Sequence, residues 1–137
     1  MLLIRNNAVL TTAKTFTATA EKIPFDTIVY NTNGNLAMDD NNVVVSAAGM
    51  YDTQCSITVS NTSSSAAAAV TLQAYADGEA IKGAKADVTI AASSTASITL
   101  PWSTNVIAAA SGKAKLSWYL SGAVNLVNAS ARVEMVV

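Results

Sequence analysis

The chain reads as all-β: a two-sheet antiparallel sandwich of the jelly-roll type. Two observations carry this. Short runs alternate apolar and polar residues with the period of a half-buried strand, and turn signals such as Asp77-Gly78 punctuate them at roughly 8–12-residue spacing. At 137 residues the chain suits one domain with one core, and no repeat or linker divides it.

Residues 1–14 read as an N-terminal arm, and residues 15–137 as the jelly-roll domain. The first strand is expected over Thr15 to Ala20, with Phe16 and Ala18 on one face. A second runs from Ile23 to Asn31, with Pro24 near its start. In it Phe25, Thr27 and Val29 alternate with Asp26, Ile28 and Tyr30, so both faces carry apolar residues and one must find a partner outside the core. Asn31-Thr32-Asn33-Gly34-Asn35 and Asp39-Asp40-Asn41-Asn42 are turns, because Asn, Asp and Gly tolerate positive φ. Short strands follow from Leu36 to Met38 and from Val43 to Ala47, and a long alternating one from Met50 to Ser60.

Ala66 to Ala76 sets two signals against each other. Alanine favours a helix, but Val70, Leu72 and Ala74 alternate with Thr71, Gln73 and Tyr75, and Asp77-Gly78 is a hairpin turn leading into Glu79-Ala80-Ile81. The strand is preferred. Val88 to Ile90 and Ile98 to Leu100 flank a polar turn, and Pro101-Trp102 is expected to end the second of these. Leu116, Trp118 and Leu120 mark a buried strand, and the chain closes with a strand from Arg132 to Val137.

Only 12% of residues are charged, against 51% apolar, and the net charge is −1. Average soluble domains carry about twice that charge, so much of the surface is expected to be covered by partner subunits. No segment reaches the ~20 apolar residues of a membrane helix, and the opening Met1-Leu2-Leu3-Ile4-Arg5 is read as no secretory signal. Basic residues are scattered, without the concentrated positive charge that phosphate binding needs, so neither nucleic acid nor membrane is expected as a partner.

The chain has no histidine and a single cysteine, Cys55. This removes the commonest general base and the Ser-His and Cys-His nucleophile pairs. Cys55, in an alternating run, reads as a small buried side chain. The acidic residues Glu21, Asp26, Asp52, Asp77, Glu79, Asp87 and Glu134 lie singly or at turns, so a carboxylate hydrolase has no visible pair. No catalytic residue and no cofactor are expected. Asp39 and Asp40 are the weak candidates for calcium, with ordinary turn chemistry preferred. Asn61-Thr62-Ser63 and Asn128-Ala129-Ser130 match the glycosylation triplet, which arises by chance in an Asn/Ser-rich chain. Tyr51 and Trp118 are expected in the core, and Trp102 is the candidate for an exposed aromatic contact.

One spaced frame stands out. Phe25 is followed after five residues by Asn31, after four by Leu36, after six by Val43, and after five by Gly49-Met50-Tyr51. Phe25, Asn31, Leu36, Gly49 and Tyr51, with every interval intact, resemble the signature of C1q-like domains, the jelly-roll relatives of tumour necrosis factor. Val43, Thr53 and Cys55 stand where that signature has aromatics. The resemblance implies a trimer of ten-stranded jelly rolls, with first and last strands adjacent and subunits packed around a threefold axis.

An opening like Leu2-Leu3-Ile4-Arg5-Asn6 before such a domain also resembles small virion proteins of tailed bacteriophages. The expectation is therefore a homotrimeric virion structural protein, made in the host cytoplasm. It would decorate the capsid or form a head-fibre tip, bound to capsid or other virion proteins. The alternative is a receptor- or glycan-binding module of a phage tail, baseplate or bacterial surface.

Overall fold

The computed structural model describes residues 1–106 and 114–136. The strands are β1 (Leu2–Arg5), β2 (Lys14–Thr15), β3 (Glu21–Lys22), β4 (Thr27–Asn31), β5 (Leu36–Asp39) and β6 (Asn42–Val45). They continue as β7 (Gly49–Ser60), β8 (Ala68–Ala76), β9 (Glu79–Ile90), β10 (Thr95–Val106), β11 (Ala114–Ser121) and β12 (Asn125–Met135), with one helical turn α1 (Ala8–Thr11). Two antiparallel sheets result. The first runs β10-β7-β12-β1-β4, with β2 beside β12; the second runs β5-β6-β11-β8-β9, with β3 beside β11. Setting aside the two-residue pieces β2 and β3, ten strands remain among the described residues.

The core lies between the sheets because alternate residues of each long strand face inward. In β7, Tyr51, Thr53, Cys55, Ile57 and Val59 are buried while the residues between them are not. Leu116, Trp118 and Leu120 answer from β11. Trp118, Tyr51, Phe16 and Phe25 are the largest fully buried side chains, each contributing about 1.5–3 kcal/mol by leaving water. Phe25 meets Trp118 edge-to-face, with ring centroids 5.8 Å apart.

The hairpin signals hold. Asp40 and Asn41 have φ of 48° and 62°, and Asp77 and Gly78 have φ of 51° and 81°, so both two-residue loops use the positive-φ turn that matches strand twist. Ala68–Ala76 is a strand, as the alternation predicts against alanine's helix preference. The Asn31–Asn35 loop works differently from the expectation. Gly34 is not among the positive-φ glycines, and side chains bend the loop instead: Asn31 Nδ2 donates to the Leu36 carbonyl (2.8 Å), and the Asn33 amide donates to Asn31 Oδ1 (3.0 Å).

Four expectations need correction. Leu2–Arg5 is not part of an arm; β1 lies inside the first sheet between β12 and β4, with Leu2 and Ile4 buried. The expected strand from Thr15 to Ala20 shrinks to β2, after which Phe16 turns inward while Ala18 is exposed. The expected strand from Ile23 to Asn31 begins only at Thr27. Pro24 lacks an N–H for the ladder, and the Phe25 amide turns back to the Ile23 carbonyl (3.0 Å). Finally, β10 does not stop at Pro101-Trp102 but continues to Val106. It pairs only with β7 at the sheet edge, where a residue without an N–H is tolerated. The C-terminal strand ends at Met135, and Val137 lies outside the described residues.

Candidate interaction surfaces

The residues of the spaced frame all serve the fold. Phe25, Leu36, Val43, Tyr51 and Cys55 are buried. Asn31 closes its loop as above, and Gly49 takes φ of 153° at the start of β7. Tyr51 Oη donates to the Ala47 carbonyl (2.9 Å), tying the entry of β7 to the loop before it. Thr53 stands where the signature has an aromatic, and its hydroxyl donates across to the Trp102 carbonyl (2.7 Å). Burial pushes the Cys55 thiol far above its ordinary pKa, so it is held as an inert thiol.

Trp102 is half-buried rather than displayed. It packs against the core, and its ring lies over Gly83, where an added Cβ would sit 3.7 Å from it. Gly83 belongs to a bulge of β9 between Ala80, opposite Tyr75, and Lys85, opposite Gln73. Gln73 Nε2 fastens that bulge by donating to the carbonyls of Ile81 (2.9 Å) and Ala84 (3.0 Å). Trp102 therefore fills the seam between the free edges of the two sheets. Beside it, Thr53, Ala74, Thr104 and Trp118 line a cavity of about 10 Å³, room for about one water and no larger ligand.

Asp39 and Asp40 sit on the β5–β6 hairpin, where their backbone carbonyls already have donors. Asn42 Nδ2 donates to the Asp39 and Asp40 carbonyls (3.2 Å each), and the Lys22 ammonium donates to the Asp40 carbonyl at 3.0 Å. Among the described residues, no three His, Cys, Asp or Glu side chains gather as a metal site. Several other carboxylates hold backbone or neighbours in place. Asp26 accepts from the amides of Asn7 (2.8 Å) and Ala8 (3.2 Å), and Asp77 accepts from the Lys115 amide at 2.8 Å. Asp87 accepts from the Thr71 hydroxyl and pairs with Lys85.

What remains are the outer faces of the sheets. On the first sheet, register aligns Tyr30, Leu3, Arg132, Gln54 and Pro101 in one row across five strands. The next row on one side is Arg5, Ser130, Ser56 and Thr99; on the other it is Glu134, Asp52 and Ser103. Beyond these the face is mostly small hydroxyl residues, with Ser97 opposite Thr58. The edge strand β4 exposes Ile28, Val29 and Tyr30, the apolar surface the sequence leaves without a core partner. On the second sheet, Tyr75 and Tyr119 stack with centroids 4.0 Å apart. Neither the rows nor this stack could be read from the sequence, because both depend on strand register.

No family model matches the chain, and no curated protein matches it. Solved structures do. The chain is similar to the PRD1 vertex protein P5, with a TM-score of 0.56 at 16% identity over 95% of this chain and 93% of that one. It is also similar to murine APRIL, with a TM-score of 0.59 at 8% identity over 98% of both chains. These matches run end to end, and together with the two antiparallel sheets they define the fold as a C1q/TNF-like jelly roll.

Proposed function

We propose that this chain is a bacteriophage virion structural protein, a homotrimeric jelly roll that decorates the capsid or forms a head-fibre tip. The observation that carries the reading is the end-to-end likeness to the PRD1 vertex protein P5. Three features support it. Asp26 and Asp77 are spent on backbone amides, charge is sparse at 12%, and uncovered apolar groups sit on a sheet edge, as expected of a subunit that works by assembly. Its partners would be two further copies and the shell proteins beneath them, in a virion assembled in the host cytoplasm. Mass spectrometry of purified particles should detect the chain, and light scattering of the isolated protein should give three times its 14.1 kDa mass. Particles without the chain, or a stable monomer at micromolar concentration, would overturn the reading.

A second reading is a receptor- or glycan-binding module. The stacked pair Tyr75 and Tyr119 on the outer face of the second sheet favours it over Trp102, which is engaged in packing.

A further inference from the structure

We propose that Asn33 is a site of spontaneous deamidation, where the loop between β4 and β5 converts its own side-chain amide to aspartate and isoaspartate. Water is the only co-reactant. The inference begins from a glycine whose backbone freedom the fold does not use. Gly34 is not among the positive-φ glycines, and an added Cβ there would meet nothing within 4 Å. Neither the turn nor the packing requires it. What glycine supplies instead is an unhindered peptide nitrogen directly after an asparagine. Asn33 is the one asparagine in the chain that is followed by glycine.

The loop arranges the reacting atoms. The Asn35 backbone N–H donates to Asn33 Oδ1 at 2.9 Å, so the side chain folds forward across the Gly34 peptide, toward the nitrogen it would bond. That donor also polarises the amide carbon and stabilises the charge that builds on Oδ1 during attack, as an oxyanion donor does. The backbone of Asn33 is pinned on both sides. Its N–H donates to Asn31 Oδ1 (3.0 Å), and its carbonyl accepts from the Leu36 amide (3.1 Å). The Gly34 N–H donates to no group among the described residues, and Gly34 is exposed, so solvent can take its proton.

The chemistry then balances. The deprotonated Gly34 nitrogen attacks Asn33 Cγ, and the new C–N bond closes a succinimide. The Cγ–Nδ2 bond breaks and ammonia leaves, carrying the equivalent of the proton that Gly34 gave up. Water opens either imide carbonyl, leaving aspartate or, with the main chain rerouted through Cγ, isoaspartate. Asp77-Gly78 has the same glycine but a carboxylate with no amine to expel, and Asp77 Oδ1 is held by the Lys115 amide at 2.8 Å. The product matters to the fold. Rerouting lengthens the main chain just before Leu36, whose side chain is buried in the core, and each event adds negative charge to a chain of net charge −1.

The test is mass spectrometry of the full chain, digested after increasing times in neutral buffer. The peptide holding Asn33 should gain about 1 Da, as both aspartate and isoaspartate, ahead of every other asparagine. Gly34→Ala, which the open space and the absence of positive φ accommodate, should slow that gain about tenfold or more, because a Cβ crowds the attacking nitrogen and narrows its backbone. Circular dichroism shows whether the variant is folded, and the isoaspartate product tests the succinimide route independently of it. The native chain should also react at least as fast as the same chain unfolded in urea, since the loop supplies the arrangement. No gain at Asn33, aspartate without isoaspartate, a gain that Gly34→Ala leaves unchanged, or protection of Asn33 by folding would each overturn the proposal.

Discussion

Asn61 heads a triplet that reads as a surface glycosylation signal, yet it is only 2% exposed. Its Nδ2 donates to the carbonyls of Ala66 (2.9 Å), Ile90 (3.1 Å) and Ala91 (3.3 Å), while its Oδ1 accepts from the Ser63 amide (3.1 Å). One side chain thereby fastens the loop after β7 to the turn after β9. Asn61→Ala strips these buried carbonyls of their donor and should cost about 2–3 kcal/mol, seen as a lower urea midpoint with an unchanged slope. Asp26 makes the same kind of fastening depend on pH. Burial acts to raise its pKa, but the Asn7 and Ala8 amides and the Thr27 hydroxyl outweigh it and hold the carboxyl below its ordinary value. A depressed folded pKa means the contribution is present above the unfolded value of about 3.9 and is lost as pH falls through the folded one. The stability gap between the native chain and Asp26→Asn should therefore be full at neutral pH and close below about pH 4, as followed by urea unfolding across pH.

At the scale of elements, sequence and structure agree where a strand is long enough to display its own period. The strand β7 has twelve residues, and its alternation is plain in the chain; β11 is equally legible through Leu116, Trp118 and Leu120. Strands made by their neighbours are not legible. β1 has four residues, and Leu2-Leu3-Ile4 reads as an apolar cluster because Leu3 faces outward between two buried positions. Pro101 reads as a strand end because only the finished sheet shows that β10 lies on its edge. The correction at β1 has a direct test. Deleting residues 1–5 would be harmless to an arm, but here it removes the strand joining β12 to β4 and takes Leu2 and Ile4 from the core. The truncated chain should lose its cooperative thermal transition and bind ANS; a native-like melt would contradict the pairing.

For the whole molecule, composition was the more informative guide to role and spacing the more informative guide to fold. The intervals from Phe25 to Tyr51 lead to a jelly roll because each of those positions is a core contact or a turn, and such positions tolerate little drift. Low charge points to covered surface without saying where. Cross-strand pairings such as Glu134 with Asp52, residues 82 positions apart in the chain, are set by strand register, and no local pattern announces them.

The pairing of β1 with β12, which sets Leu2 against Val133, also governs when the molecule can exist. The middle of the first sheet is closed by β12, so until that strand docks, the pair β4–β1 and the pair β7–β10 each keep an open edge. Contacts spanning the whole chain must be reached by loop closure before they reward it, which places folding toward the slow, millisecond-to-second end of the range for single domains. During that interval the edges of β1 and β7 that β12 will cover are open to strands of neighbouring chains. High-level synthesis thus sets productive closure by β12 in competition with aggregation.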